Sequence, residues 1–160
     1  MVRISRLVGL PVVSLEGARK VGITKEVWLS RDLLWIRGFS VGLRRLISSV
    51  RFLPFSRVFS LTTTSVTVHS EDVTEQLLEY SDCGLRFHKV ASSIARTRDG
   101  TVVGSLSDLF ADENTGRVQE LEVSEGVLQD ITKGRSRIHR SACIEFNGQA
   151  IILVEGVVGS

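Results

Sequence analysis

The feature that most constrains this chain is an internal repeat. Gly22-Ile23-Thr24-Lys25-Glu26-Val27-Trp28-Leu29 returns 82 positions later as Gly104-Ser105-Leu106-Ser107-Asp108-Leu109-Phe110-Ala111. Each copy opens on a glycine, carries an acid four residues on, and runs into apolar residues. The match extends without a gap from residues 22–41 onto 104–123. After a spacer that is three residues longer in the second copy it resumes at a separation of 85, with Leu53 against Ile138 and Val68 against Leu153. A 160-residue chain repeated in this way reads as two modules of roughly 70–80 residues, each with a modest core.

Abundant Val, Ile, Leu and Thr suit strands better than helices. Leu7–Ser14 reads as a first strand bent or edged at Pro11. Inside the repeated signature the apolar positions change parity between Leu106 and Leu109. A regular strand alternates faces with period two, so a bulge is expected there. Asp99-Gly100, Asp112–Gly116 and Asn147-Gly148-Gln149 read as turns, and Thr62-Thr63-Thr64 occupies the place of the last in the first copy. Between the copies Ser70 is placed to cap a helix. Glu71 and Asp72 favour its positive end, Val73, Leu77 and Tyr80 give it an apolar side, and Gly84 can end it. A short linking helix over 71–81 is therefore expected, between modules at 1–70 and 82–160.

The net charge of +2 hides an asymmetry. Residues 1–70 hold 11 Lys and Arg against 3 Asp and Glu, while 71–81 hold four acids and no base. A basic first half points to an acidic partner and says little about fold. No run of about 18 apolar residues occurs, so no membrane-spanning helix is expected. The opening MVRISRLVGLPVV has no small-residue cleavage site, and no signal peptide is expected. Cys83 and Cys143 are far apart and outside any CxxC pair, as in a reduced cytoplasmic chain.

The order of these pieces is an apolar strand, a turn, a glycine-led strand with an acid at its fifth position, a turn, a strand, a spacer, and a strand entering a hairpin. With Gly100–Asp112, Leu53-Pro54-Phe55-Ser56-Arg57-Val58 and the opening Leu7–Ser14, it resembles the PRC-barrel family, in two tandem copies covering nearly the whole chain. The resemblance implies an all-β fold of two small barrels joined by the short helix. It also implies a contact or assembly role and no catalysis. The same barrel occurs in the H subunit of bacterial photosynthetic reaction centres and in RimM-type ribosome maturation factors.

The residues themselves offer little chemistry. His69, His88 and His139 lie far from one another and from the cysteines, and no G-x-S-x-G elbow, dinucleotide fingerprint or Walker loop is present. No catalytic residue, metal or cofactor is expected. Glu26 and Asp108 read as acceptors that pin the bend of each module, or alternatively as a proton-handling pair. Trp28, Trp35, Phe39, Phe52, Phe55 and Phe59 crowd the first module, most of them as core, with Trp35 and Phe55 as candidates for a contact patch. In the spacer, Leu43, Leu46, Ile47 and Val50 fall at helical spacing, with Arg44, Arg45 and Arg51 on other sides. This segment reads either as a loop capping the barrel or as a basic surface. The expected partner is a protein with an acidic surface. RNA or a ribosome is the alternative, and an anionic membrane surface would suit the same arginines.

Overall fold

The computed structural model describes residues 1–43, 49–70, 74–76, 84–126 and 133–154. The first half contributes β1 (Val2–Arg3), β2 (Pro11–Ser14), β3 (Arg19–Leu29), β4 (Ile36–Leu43), β5 (Val50–Pro54), β6 (Val58–Leu61), β7 (Val66–Val68) and β8 (Glu75–Gln76). After these come β9 (Leu85–Arg86), the single-turn helix α1 (Phe87–Val90), β10 (Ile94–Thr97), β11 (Val102–Ala111), β12 (Val118–Ser124), β13 (Ser136–His139), β14 (Cys143–Phe146) and β15 (Ala150–Leu153).

The fold is mostly β and forms two curled, half-barrel sheets. One runs β6-β7-β2-β3-β4-β5-β8 and the other β14-β15-β10-β11-β12-β13, so six strands follow the same order in both. Among the described residues each has a single parallel pair in the same place, β2 with β7 and β10 with β15. The ends of the shared six-strand path, β5 and β6 in one sheet and β13 and β14 in the other, are neighbours in sequence, joined by the short turns Phe55–Arg57 and Arg140–Ala142. The parity change becomes a register shift in both copies, between Thr24 and Glu26 on β3 and between Leu106 and Asp108 on β11. An extra residue there lets one strand present apolar residues to the core before and after a bend.

The expected turns at Asp112–Gly116 and at Asn147-Gly148-Gln149 form. Asp112 Oδ1 accepts from the Asn114 and Thr115 amides and from the Thr115 hydroxyl, and Gly116 takes the left-handed backbone that completes the turn. The Thr115 amide and hydroxyl hold the Asp112 carboxyl below its ordinary value. A lowered carboxyl stabilises a fold at pH above its unfolded pKa, and loses that contribution as pH falls through the folded value. Asp112→Asn should therefore lower stability at neutral pH, flatten the acid side of the profile, and match the parent below the folded carboxyl value. An unaltered acid limb in a urea series would contradict the assignment. Asn147 Oδ1 likewise accepts from the Gln149 and Ala150 amides.

Three expectations are corrected. The first strand of the β2 sheet starts at Pro11 and not at Leu7, because Ile4–Leu7 is a 3-10 turn and the Gly9 amide reaches back to the Thr24 carbonyl. Phe59 is 58% exposed and packs edge-on against His69, whereas Phe39 and Phe52 are buried. The helix over 71–81 is not what is described there. Glu75–Gln76 is extended and pairs with Arg51 and Phe52, with the rest of 71–81 outside the described residues apart from Thr74. The Arg51 guanidinium bonds the Thr74 hydroxyl and carbonyl at 3.1 and 2.9 Å. Covering the edge of β5 therefore outweighs local helix preference at these residues.

Candidate functional site

The two halves are not simply placed in tandem. β1, which precedes the first sheet, pairs with β11 of the second, Val2 opposite Ala111 and Arg3 opposite Phe110. β9, which precedes the second, pairs with β3 of the first, Leu85 opposite Leu29 and Arg86 opposite Trp28. The exchanged residues correspond at a separation of 83, and the contacts they make correspond too. Arg3 lies over the Phe110 ring and 3.7 Å from Asp108, while Arg86 lies over the Trp28 ring and 3.6 Å from Glu26. The amide and hydroxyl of Ser5 both donate to Asp108, and His88 Nδ1 is 3.2 Å from Glu26. The two acids of the repeat therefore hold the segment that crosses over from the other half. Glu122 strengthens the second clasp, receiving Arg3 at 3.0 Å and Arg135 at 3.2 Å. One apolar core runs through both halves.

This reciprocity defines a pseudo-twofold axis, which passes by Trp35 and Arg117. The two residues occupy equivalent places in the repeat and form an antiparallel bridge with each other. The Ile36 amide donates to the Gly116 carbonyl at 2.7 Å, and the Val118 amide to the Leu34 carbonyl at 2.8 Å, each the image of the other. Tight turns present these edges, Ser30 Oγ accepting from the Leu34 and Trp35 amides on one side and Asp112 acting on the other.

A groove opens on each side of the bridge. The first, of about 560 Å³, is lined by Trp35, Arg37, Pro54, Phe55, Arg57 and Thr115, among others. The second, of about 420 Å³, is lined by Leu34, Arg117, Gln119, His139, Arg140 and Ser141, among others. Among the described residues no carboxylate lines either. Arg37 is exposed, and Arg117 lies over the Trp35 ring at 5.8 Å from its centre. Neither forms a salt bridge with any described residue. Arg140 donates to the Cys143 and Asp32 carbonyls and so ties the second half to the turn of the first. Next to it Cys143 is buried, and loss of solvent raises its thiol pKa. The arrangement can attract anions and hold an apolar group against Trp35 and Phe55.

Of the residues singled out from sequence, Trp35 and Phe55 line one groove, although 20 positions separate them. Trp35 is 43% exposed, and Phe55 is half-buried with its ring against the Gly116 backbone of the other half. Arg51 is engaged with Thr74 inside the chain, and Arg44 and Arg45 lie outside the described residues. Arg37, Arg57, Arg117, His139 and Arg140 are not evident as a group in the sequence because they are scattered along the chain. Aligning the copies is the available signal, since it superposes Trp35 on Arg117 and Phe55 on Arg140. Among the described residues no group of three His, Cys, Asp or Glu side chains is placed to hold a metal ion, and no helix is long and apolar enough to cross a membrane. No protein-family model matches the sequence, and no match was found among curated proteins.

Proposed function

We propose that this protein is a non-enzymatic adaptor of two PRC-barrel-like modules, acting in the bacterial cytoplasm, and that it binds an acidic protein surface across its pseudo-twofold axis. The observation that carries this reading is the pair of grooves beside Trp35 and Arg117, rich in arginine and with no acid among the described residues that line them. Interface centres are enriched in Trp, Phe and Arg, and rigid aromatic rings lose little conformational entropy on binding. The basic residues of the first half, Arg44 and Arg45 included, add long-range attraction that raises the rate of encounter.

The test is binding of a fluorescent poly-glutamate at rising salt. The chain should bind it, and Arg37→Ser with Arg117→Ser should weaken binding about tenfold, roughly 1.4 kcal/mol, with a shallower salt dependence. Arg44→Ser with Arg45→Ser should have a smaller effect, mainly on the salt slope. Unchanged affinity in the Arg37/Arg117 variant would overturn the placement of the site. Tighter binding to an RNA oligonucleotide than to poly-glutamate, through the same arginines, would overturn the protein partner in favour of RNA-linked action on the phosphate backbone.

A further inference from the structure

We infer that the two grooves together take one extended acidic segment in a single direction, with an apolar side chain beside Trp35 and Phe55 and carboxylates beside Arg117 and His139. This rests on the adaptor reading above and states what the partner presents. The scaffold around the axis is twofold, but its chemistry is not. Trp35 corresponds to Arg117, Phe55 to Arg140, Pro54 to His139 and Arg37 to Gln119, while Ser56 matches Ser141. One groove is therefore walled by three aromatic rings, of Trp35, Phe52 and Phe55, and a proline, with Arg37 and Arg57 at its edge. Its image has no aromatic ring but guanidinium, imidazole, amide and hydroxyl groups around the small apolar side chains of Leu34, Val118 and Cys143.

A twofold-symmetric ligand would meet unlike chemistry at its two like ends, so the surface fits an asymmetric one. The stacked Trp35–Arg117 pair lies between the grooves, and a chain laid over it has one groove on each side. The aromatic groove, about 560 Å³, has room for a large apolar side chain. In the other groove the Arg140 head is held by two backbone carbonyls, and His139 is fixed by its bond to the Ser141 hydroxyl at 2.8 Å. A carboxylate arriving there meets charge that is already positioned, which reduces the ordering cost of binding. The exposed Arg37 keeps an acidic flank attractive on the aromatic side, so charge gives affinity while the apolar anchor sets direction.

The experiment uses two synthetic peptides of identical composition, one with Phe before a run of four Glu and one with Phe after it, each spaced by Gly-Ser. A third peptide has Gly in place of Phe. Fluorescence of the full chain reports binding at Trp35, since Trp28 is buried, and Trp35→Phe should abolish the change. One of the two Phe peptides should bind at least fivefold tighter than the other and tenfold tighter than the Gly peptide. Trp35→Ser, read by titration calorimetry because the reporting ring is gone, should remove the advantage of Phe and leave the weaker binding of the acidic run. Arg117→Gln should weaken all three peptides by a similar factor. Equal affinity of the two Phe peptides would overturn the single direction while leaving the adaptor reading intact. Failure of every peptide where poly-glutamate still binds would overturn the grooves as a segment site. Failure of poly-glutamate itself would instead overturn the adaptor reading.

Discussion

Gly104→Ala should destabilise the protein by about 2–3 kcal/mol, although it adds only one methyl group. A Cβ at Gly104 would lie 2.3 Å from the Ser124 carbonyl oxygen and 2.8 Å from the Val123 side chain. Gly22 meets the equivalent obstacle, with a Cβ 2.2 Å from the Gly42 carbonyl oxygen. The two carbonyl oxygens are backbone atoms of the partner strand, which cannot move aside without opening the β3–β4 or β11–β12 ladder. Gly42→Ala is the control, because its Cβ meets only the flexible end of Lys25 at 2.7 Å. It should cost well under about 1 kcal/mol beyond the general strand preference for side chains over glycine. Urea midpoints at constant slope give the comparison. Equal losses for Gly22→Ala and Gly42→Ala would contradict the close-approach account.

Asp108→Ala should be far more damaging than Glu26→Ala, although the two acids occupy equivalent places. The Asp108 side chain is 3% exposed, and it accepts from the Ser5 amide and hydroxyl and from the Leu109 amide beside Arg3. Removing it strands buried donors and a partly buried guanidinium, a loss of about 2–4 kcal/mol. The Glu26 side chain is 26% exposed and its partners Arg86 and His88 more so. Solvent screens such pairs, and the expected loss is about 0–1 kcal/mol. Losses of the same size in urea melts would mean that the two clasps are energetically alike, against the burial that separates them.

The repeat makes the equivalence of the two sheets, the paired bulges and most turns legible in the amino-acid sequence. Each follows from local rules, namely the two-residue alternation of strands and the turn preferences of Asp, Asn and Gly. The crossing of β1 and β9 is not legible there, because two-residue strands leave no periodicity and their partners lie more than 50 residues away. The expected helix over 71–81 rests on capping and amphipathic spacing alone. Nothing in those signals indicates that the edge of β5 is covered by Glu75 and Gln76. The candidate site is half legible. Trp35 and Phe55 stand out as bulky aromatics near turns, but the arginines that complete the surface come from both copies and converge only through the twofold arrangement. Arg51 has the sequence context of a basic face, and its bonds to Thr74 give it an internal role instead.

Reciprocal exchange between the halves is the central claim, and nuclear Overhauser contacts in a uniformly labelled chain test it most directly. Backbone protons of Arg3 should show cross-strand contacts to Phe110, and those of Arg86 to Trp28, at intensities unchanged on dilution. Contacts from Arg3 and Arg86 only to strands of their own halves would contradict the exchange, and with it the pseudo-twofold surface on which the functional reading rests.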